Sequence, residues 1–122
     1  MVEKIVRPLQ HPSPQDITVE GILHALSDPV RAQIYAEIEQ ARCPMTCSNF
    51  LNLNQRTLPK STLSQHFKIL REAGLIRSER KGVEMHNTTR CRELKERFGP
   101  MIRTILDAFK KQGGKTKRSL KR

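Results

Sequence analysis

Residues 61–76 read STLSQHFKILREAGLI, and two opposite faces run through them. Leu63, Phe67, Leu70 and Ala73 recur at steps of four and three, the spacing of a buried stripe on an α-helix. The other side carries Ser61, Thr62, Ser64, Gln65 and Lys68, where a solvated helix is usually filled with Glu, Lys and Ala. Serine and threonine are mediocre helix formers, because their hydroxyls compete for nearby backbone groups. Acidic residues are absent from Arg56 to Arg71. A face that lacks acids and gives up helix propensity for small hydrogen-bonding groups suits a polyanionic partner better than bare solvent. Gly74 is placed to stop the helix in a left-handed cap.

Outward from this helix, the elements follow one another closely. Upstream, Val19, Ile22, Leu23 and Leu26 mark a first helix from about Ile17 to Ser27. In DPVRAQIYAEIEQ, Asp28 is a candidate N-cap and Pro29 fits the first helical position, with Val30, Ile34 and Ile38 facing the core. A short helix is expected near Cys47 to Leu53, then a turn from Asn54 to Pro59. Downstream, Leu75 to Arg80 and Val83 to Thr88 read as two strands joined at Lys81-Gly82. A last helix is expected from Cys91 to Phe109, with Ile102, Ile105, Leu106 and Phe109 as its stripe and Gly113-Gly114 ending it. The fold class is mainly α with a small β-hairpin. Residues 1–16, with three prolines, read as a flexible arm; 17–110 form the domain, and 111–122 a basic tail.

The totals narrow the function. The 122-residue chain suits one domain, and its 4% aromatic content allows only a modest monomer core, which a dimer would enlarge. Net charge is +11. Lys110 to Arg122 holds seven basic residues and no acidic one, and Arg56 to Lys81 carries a net +5. Such a stripe suits nucleic acid or an anionic membrane surface; the tail reads equally as a solubilising terminus. No run approaches the ~18 apolar residues of a membrane span, and no secretory h-region opens the chain, so a cytoplasmic protein is expected. Three cysteines are too few for a secreted disulfide framework. The sequence holds no Ser-His-Asp order, paired carboxylate site or phosphate-binding loop, and so no catalytic residue and no cofactor is expected.

Helix, helix, short helix, helix and hairpin is the order of a winged helix-turn-helix, whose second motif helix lies in the major groove. Ser61, Thr62 and Ser64 can bond several base edges, and Gln65 can bond adenine bidentately. Lys60, Lys68 and Arg71 would neutralise phosphates, fixing register without reading sequence. His66 reads as a packing or phosphate-contacting residue.

LSDPVRAQI, then KSTLSQHFKILREAGLI, then a basic hairpin resembles the ArsR family of bacterial winged-helix repressors, over about Leu23 to Thr88. The resemblance implies a homodimer built through the first and last helices, an operator palindrome as target, and release by an inducer or oxidant. It also assigns Ser61, Thr62, Ser64 and Gln65 to base-reading positions. Three features depart from the family. The segment from Cys47 to Lys60 is a few residues longer than the usual turn. Glu84 stands near the wing tip where many relatives carry Arg, leaving Arg80 and Lys81 to make any wing contact. CPMTC puts Met45 at the first ligand position of the family's Cys-x-Cys metal sensors and Cys47 at the second; no His follows His86 to build a zinc site on the last helix. Cys43 and Cys47 are therefore inert thiols, a redox pair or part of a metal site, and no resident metal is expected. A sequence-indifferent basic nucleic-acid-binding protein is the alternative to a sequence-specific repressor.

Overall fold

The computed structural model describes residues 9–41 and 58–120, excluding the side chains of 114–120. A 3₁₀ turn at Pro14–Asp16 leads into α1 (Val19–Leu26) and α2 (Pro29–Gln40). After residues 42–57 come α3 (Lys60–Glu72), β1 (Ile76–Lys81), β2 (Glu84–Thr89) and α4 (Cys91–Leu120). The short helix expected near Cys47 to Leu53 lies outside the described residues.

Local chemistry sets the helix starts. Thr18 caps α1, its hydroxyl accepting from the Gly21 N–H at 3.0 Å. Asp28 caps α2 by accepting from the Val30 and Arg31 N–H groups at 2.7 and 3.3 Å, with Pro29 at the first helical position as expected. The end of α3 is a Schellman motif. Leu75 N–H donates to the Leu70 carbonyl and Gly74 N–H to that of Arg71, both at 3.0 Å, while Gly74 takes φ +88°. Leu75 is therefore bound into the helix cap, and β1 starts one residue later than the strand pattern suggests. Lys81 pairs with Glu84, so the hairpin loop is Gly82-Val83 rather than Lys81-Gly82. Gly82 supplies the positive φ (+67°) that a two-residue hairpin loop needs at its first position.

The core gathers one face of each helix and the root of the hairpin. Leu63, Phe67 and Leu70 of α3 meet Ile34, Tyr35 and Ile38 of α2 and Ile22, Ala25 and Leu26 of α1 in one buried cluster with Leu75 and Ile76. From α4 the buried row is Leu94, Phe98, Ile102 and Leu106. Two expected stripes thus divide. On α1, Ile22 and Leu26 turn inward, whereas Val19 and Leu23 remain 46% and 47% exposed. On α4, Ile105 and Phe109 are only half-buried. The periodicity was right, but one thin layer cannot cover both edges of each stripe.

Two further expectations change. α4 runs through Gly113-Gly114, because both glycines stay helical and neither adopts the left-handed conformation of a helix stop. The loose arm expected to residue 16 is held from His11 onward. Arg90 donates to the Pro12 carbonyl (2.8 Å), and Arg97 donates to those of Pro14 (2.8 Å) and Ile17 (3.2 Å). Ile17 is buried at 3% exposure over Gly74. No helix among the described residues is long and apolar enough to cross a membrane.

Candidate nucleic-acid interface

The outward edge of α3 is built by the packing of its inward one. Leu63 and Leu70 are fully buried and Phe67 nearly so. That anchorage turns Lys60, Ser61, Thr62, Ser64, Gln65 and Lys68 to solvent. Pro59 occupies the N-cap and has no side-chain acceptor to offer. The first N–H groups of α3 lie beside Ser61 and Thr62, at the positive end of the helix dipole, with no side-chain cap from Pro59. Hydroxyls, a carboxamide, two ammonium groups and a helix N-terminus share this edge, and no acid interrupts it.

His66 and Arg71 stand differently. His66 is half-buried, its Nδ1 3.5 Å from Arg31 Nη1. Burial holds its pKa below the ordinary histidine value, the Asp28 carboxylate opposes that, and the Arg31 guanidinium adds to it. Arg71 is also half-buried and donates to Ser78 Oγ on β1 at 3.4 Å. These two candidate contacts face neighbouring elements, α2 and the wing, as well as the helix edge.

Arg31 was not singled out by sequence, yet it ties three elements together. Its Nε donates to the Ala25 carbonyl at 2.7 Å and its Nη2 to that of His24 at 3.2 Å, holding the end of α1. Nη1 lies 3.6 Å from Asp28 Oδ2 and faces His66 on α3. The only signal was its place three residues after a helix-capping aspartate, which marks a local ion pair but not the reach to α1 and α3.

The wing separates its two candidate cations. Side chains alternate along a strand, so Arg80 shares the face of buried Ile76 and Ser78, while Lys81 lies on the opposite face. Lys81 sits directly across from Glu84, which offsets its charge. Glu84 also meets His86 Nε2 at 3.2 Å. Val83 at the tip is 96% exposed. At the root, Ser78 Oγ donates to Asn87 Oδ1 at 2.6 Å in a buried cross-strand pair. Arg90 and Arg77 both bond Glu93, and the bond from Arg90 is first among the causes holding that carboxyl below its usual range.

Cys43 and Cys47 lie outside the described residues, and Cys91 is exposed at the start of α4. Among the described residues no group of three His, Cys, Asp or Glu side chains is arranged to hold a metal ion.

Residues 26–79 match a family described as a helix-turn-helix domain. That span runs from the end of α1 through α2 and α3 into β1. Among solved structures the chain is similar to an ArsR-like transcriptional regulator from Rhodococcus sp. RHA1, with 21% identity and a TM-score of 0.52. The likeness covers 83% of this chain and 84% of that one. No curated protein matches.

Proposed function

We propose that this chain, whose residues 26–79 match a helix-turn-helix domain and whose fold is similar to that of an ArsR-like regulator, is a DNA-binding transcriptional regulator acting as a homodimeric repressor in the cytoplasm. One observation carries this reading. The exposed edge of α3 presents Ser61, Thr62, Ser64 and Gln65 with cations around them, held rigidly by the buried Leu63, Phe67 and Leu70. Small hydroxyls and a carboxamide read base edges in a major groove, while Lys60 and Lys68 hold phosphates beside it. The N-terminus of α3, which Pro59 does not cap, adds N–H donors for a phosphate. On the wing, Arg80 is the better placed cation, because Glu84 faces Lys81.

A competition assay tests this. Promoter DNA adjoining the chain's own coding region should be preferred over bulk DNA by about 10³-fold or more. Equal binding to random DNA or RNA would overturn the repressor reading in favour of a sequence-indifferent basic nucleic-acid-binding protein. Within the edge, Gln65→Ala should flatten base preference, by about 1–3 kcal/mol at the adenine it contacts, with little change on random DNA. Lys68→Ala should weaken binding to every sequence alike and lower the salt slope by about one. An unchanged base preference in Gln65→Ala would remove the groove assignment.

The dimer rests on what the single chain leaves uncovered: Val19 and Leu23 on α1, and the half-buried Met101, Ile105 and Phe109 on α4. Two recognition helices one DNA turn apart would then meet a palindrome. Leu23 is half in solvent and outside the buried cluster, so Leu23→Asp should leave the fold largely intact and shift sedimentation from dimer to monomer. A dimer that persists in this variant would place the interface elsewhere. Release by a small inducer or an oxidant would act by favouring a dimer conformation with the wrong helix spacing. Cys43 and Cys47 are the candidate sensing thiols.

A further inference from the structure

His11 reaches across 67 residues of sequence to the edge of the wing. Its Nε2 accepts the backbone N–H of Ser78 at 3.0 Å. Ser78 and Asn87 are register partners, but the Ser78 N–H points away from β2, so this is a non-hydrogen-bonded pair of the ladder. Such an edge N–H has no strand to bond, and the imidazole takes the strand's place. The Ser78 side chain continues the connection: it accepts from Arg71 of α3 and donates to Asn87 of β2. A single residue thus joins the recognition helix, both wing strands and the N-terminal arm.

We propose that His11 is a positioning residue for the wing, holding Ser78 and thereby the angle between wing and recognition helix while its imidazole is neutral, and releasing both on protonation. Only an unprotonated Nε2 has the lone pair this bond needs. A proton there converts acceptor to donor and sets two N–H groups against each other. The surroundings add to that conflict. Burial opposes a positive imidazole most, then Arg77 on β1 and Arg71 on α3, with Arg90 just before α4 adding least; a hydrogen bond to the Leu9 backbone favours it. No acid is among the groups acting on the His11 ring; Glu93 is bonded to Arg77 and Arg90, and Asp16 to Ser13 Oγ at 2.9 Å. His11 is accordingly held below the ordinary value of 6.5. The unfolded chain takes up the proton first, so this contribution to stability is complete above about pH 6.5 and is lost as pH falls through the lowered folded value.

The pose of the wing matters only if the chain reads DNA as proposed above, so the test carries one readout without DNA and one with it. The first is the exchange protection of the Ser78 amide in the full chain, followed from pH 8 into the acid range until the His11 ring is protonated. Wild type should be protected at pH 8 and lose about five- to tenfold once His11 is protonated, the scale of one lost hydrogen bond. His11→Gln places a carboxamide oxygen near Nε2 and does not titrate, so it should stay protected throughout. His11→Ala should be unprotected throughout. The second readout is preference for promoter over bulk DNA, which should fall with acid in wild type by a similar factor and stay level in His11→Gln. Equal pH dependence of Ser78 protection in wild type and His11→Gln would overturn the latch. A latch that titrates while DNA preference stays level would overturn its positioning role. Absence of any promoter preference at pH 8, with Ser78 behaving as described, would instead count against the repressor reading alone.

Discussion

Gly74→Val is expected to cost about 3–5 kcal/mol of unfolding free energy, a large share of the ~5–15 kcal/mol by which ordinary domains are stable. Two independent penalties meet at this residue. The Schellman motif requires φ +88°, a conformation that a β-branched residue adopts only with strain. A Cβ built there would also lie 2.5 Å from Ile17 Cγ1 and 2.6 Å from its Cδ1. Ile17 cannot swing aside cheaply, because it is buried and its carbonyl is bonded to Arg97. Gly82 separates the two penalties. Its φ is +67°, yet nothing lies within 4 Å of a Cβ built there. Alanine at Gly82 should therefore cost about 1 kcal/mol, from backbone strain alone, and alanine at Gly74 about 2–4 kcal/mol. Urea midpoints of the two variants check this; equal losses would mean that Ile17 yields without cost.

Arg31→Ala should be nearly as damaging, at about 2–4 kcal/mol. The side chain is almost buried, and it satisfies two carbonyls at the end of α1 while pairing with Asp28. Removing it leaves the Ala25 and His24 carbonyls without this donor at a helix end. The low end of the range reflects Asp28, whose side chain is one-third exposed and can be rehydrated. Arg31→Lys should rescue little, since one compact ammonium cannot span α1, Asp28 and His66 as a planar fork does. Thermal unfolding measures the stability loss. DNA competition measures a second effect: α3 loses its polar tie to α2, so preference for promoter DNA should drop more than affinity for bulk DNA. A variant that unfolds as wild type does would show that water replaces the guanidinium without penalty.

What could be read from sequence was local. The Asp28-Pro29 start, the Leu63-Phe67-Leu70 stripe and the Gly74 stop each depend on residues within one or two turns, and each forms as expected. The exposed row on α3 follows from the same periodicity, so the candidate interface was legible in outline. Errors arose where a second constraint competes with a local rule. The strands moved by one residue because the helix cap claims Leu75 and because Gly82 alone supplies the turn's positive φ. Gly113-Gly114 has stop-like composition, but composition does not impose a left-handed residue. The apolar stripe of α1 could not reveal that Ile22 would be buried and Leu23 left half in solvent. Beyond the i,i+3 pairs Asp28–Arg31 and Arg90–Glu93, the polar ties of His11, Arg31 and Arg90 were not legible, since those partners lie across the fold and no spacing rule links them.

The arm's contacts also set an order of events in synthesis. His11, Pro12 and Pro14 leave the ribosome before their partners Ser78, Arg90 and Arg97, which follow 67, 78 and 83 residues later. At about 5–20 residues per second, the arm waits several seconds before anything exists for it to bind. Ile17 waits with it, an apolar side chain whose seat over Gly74 is not yet made. These contacts of the arm can therefore form only after the wing and the first half of α4 have been translated.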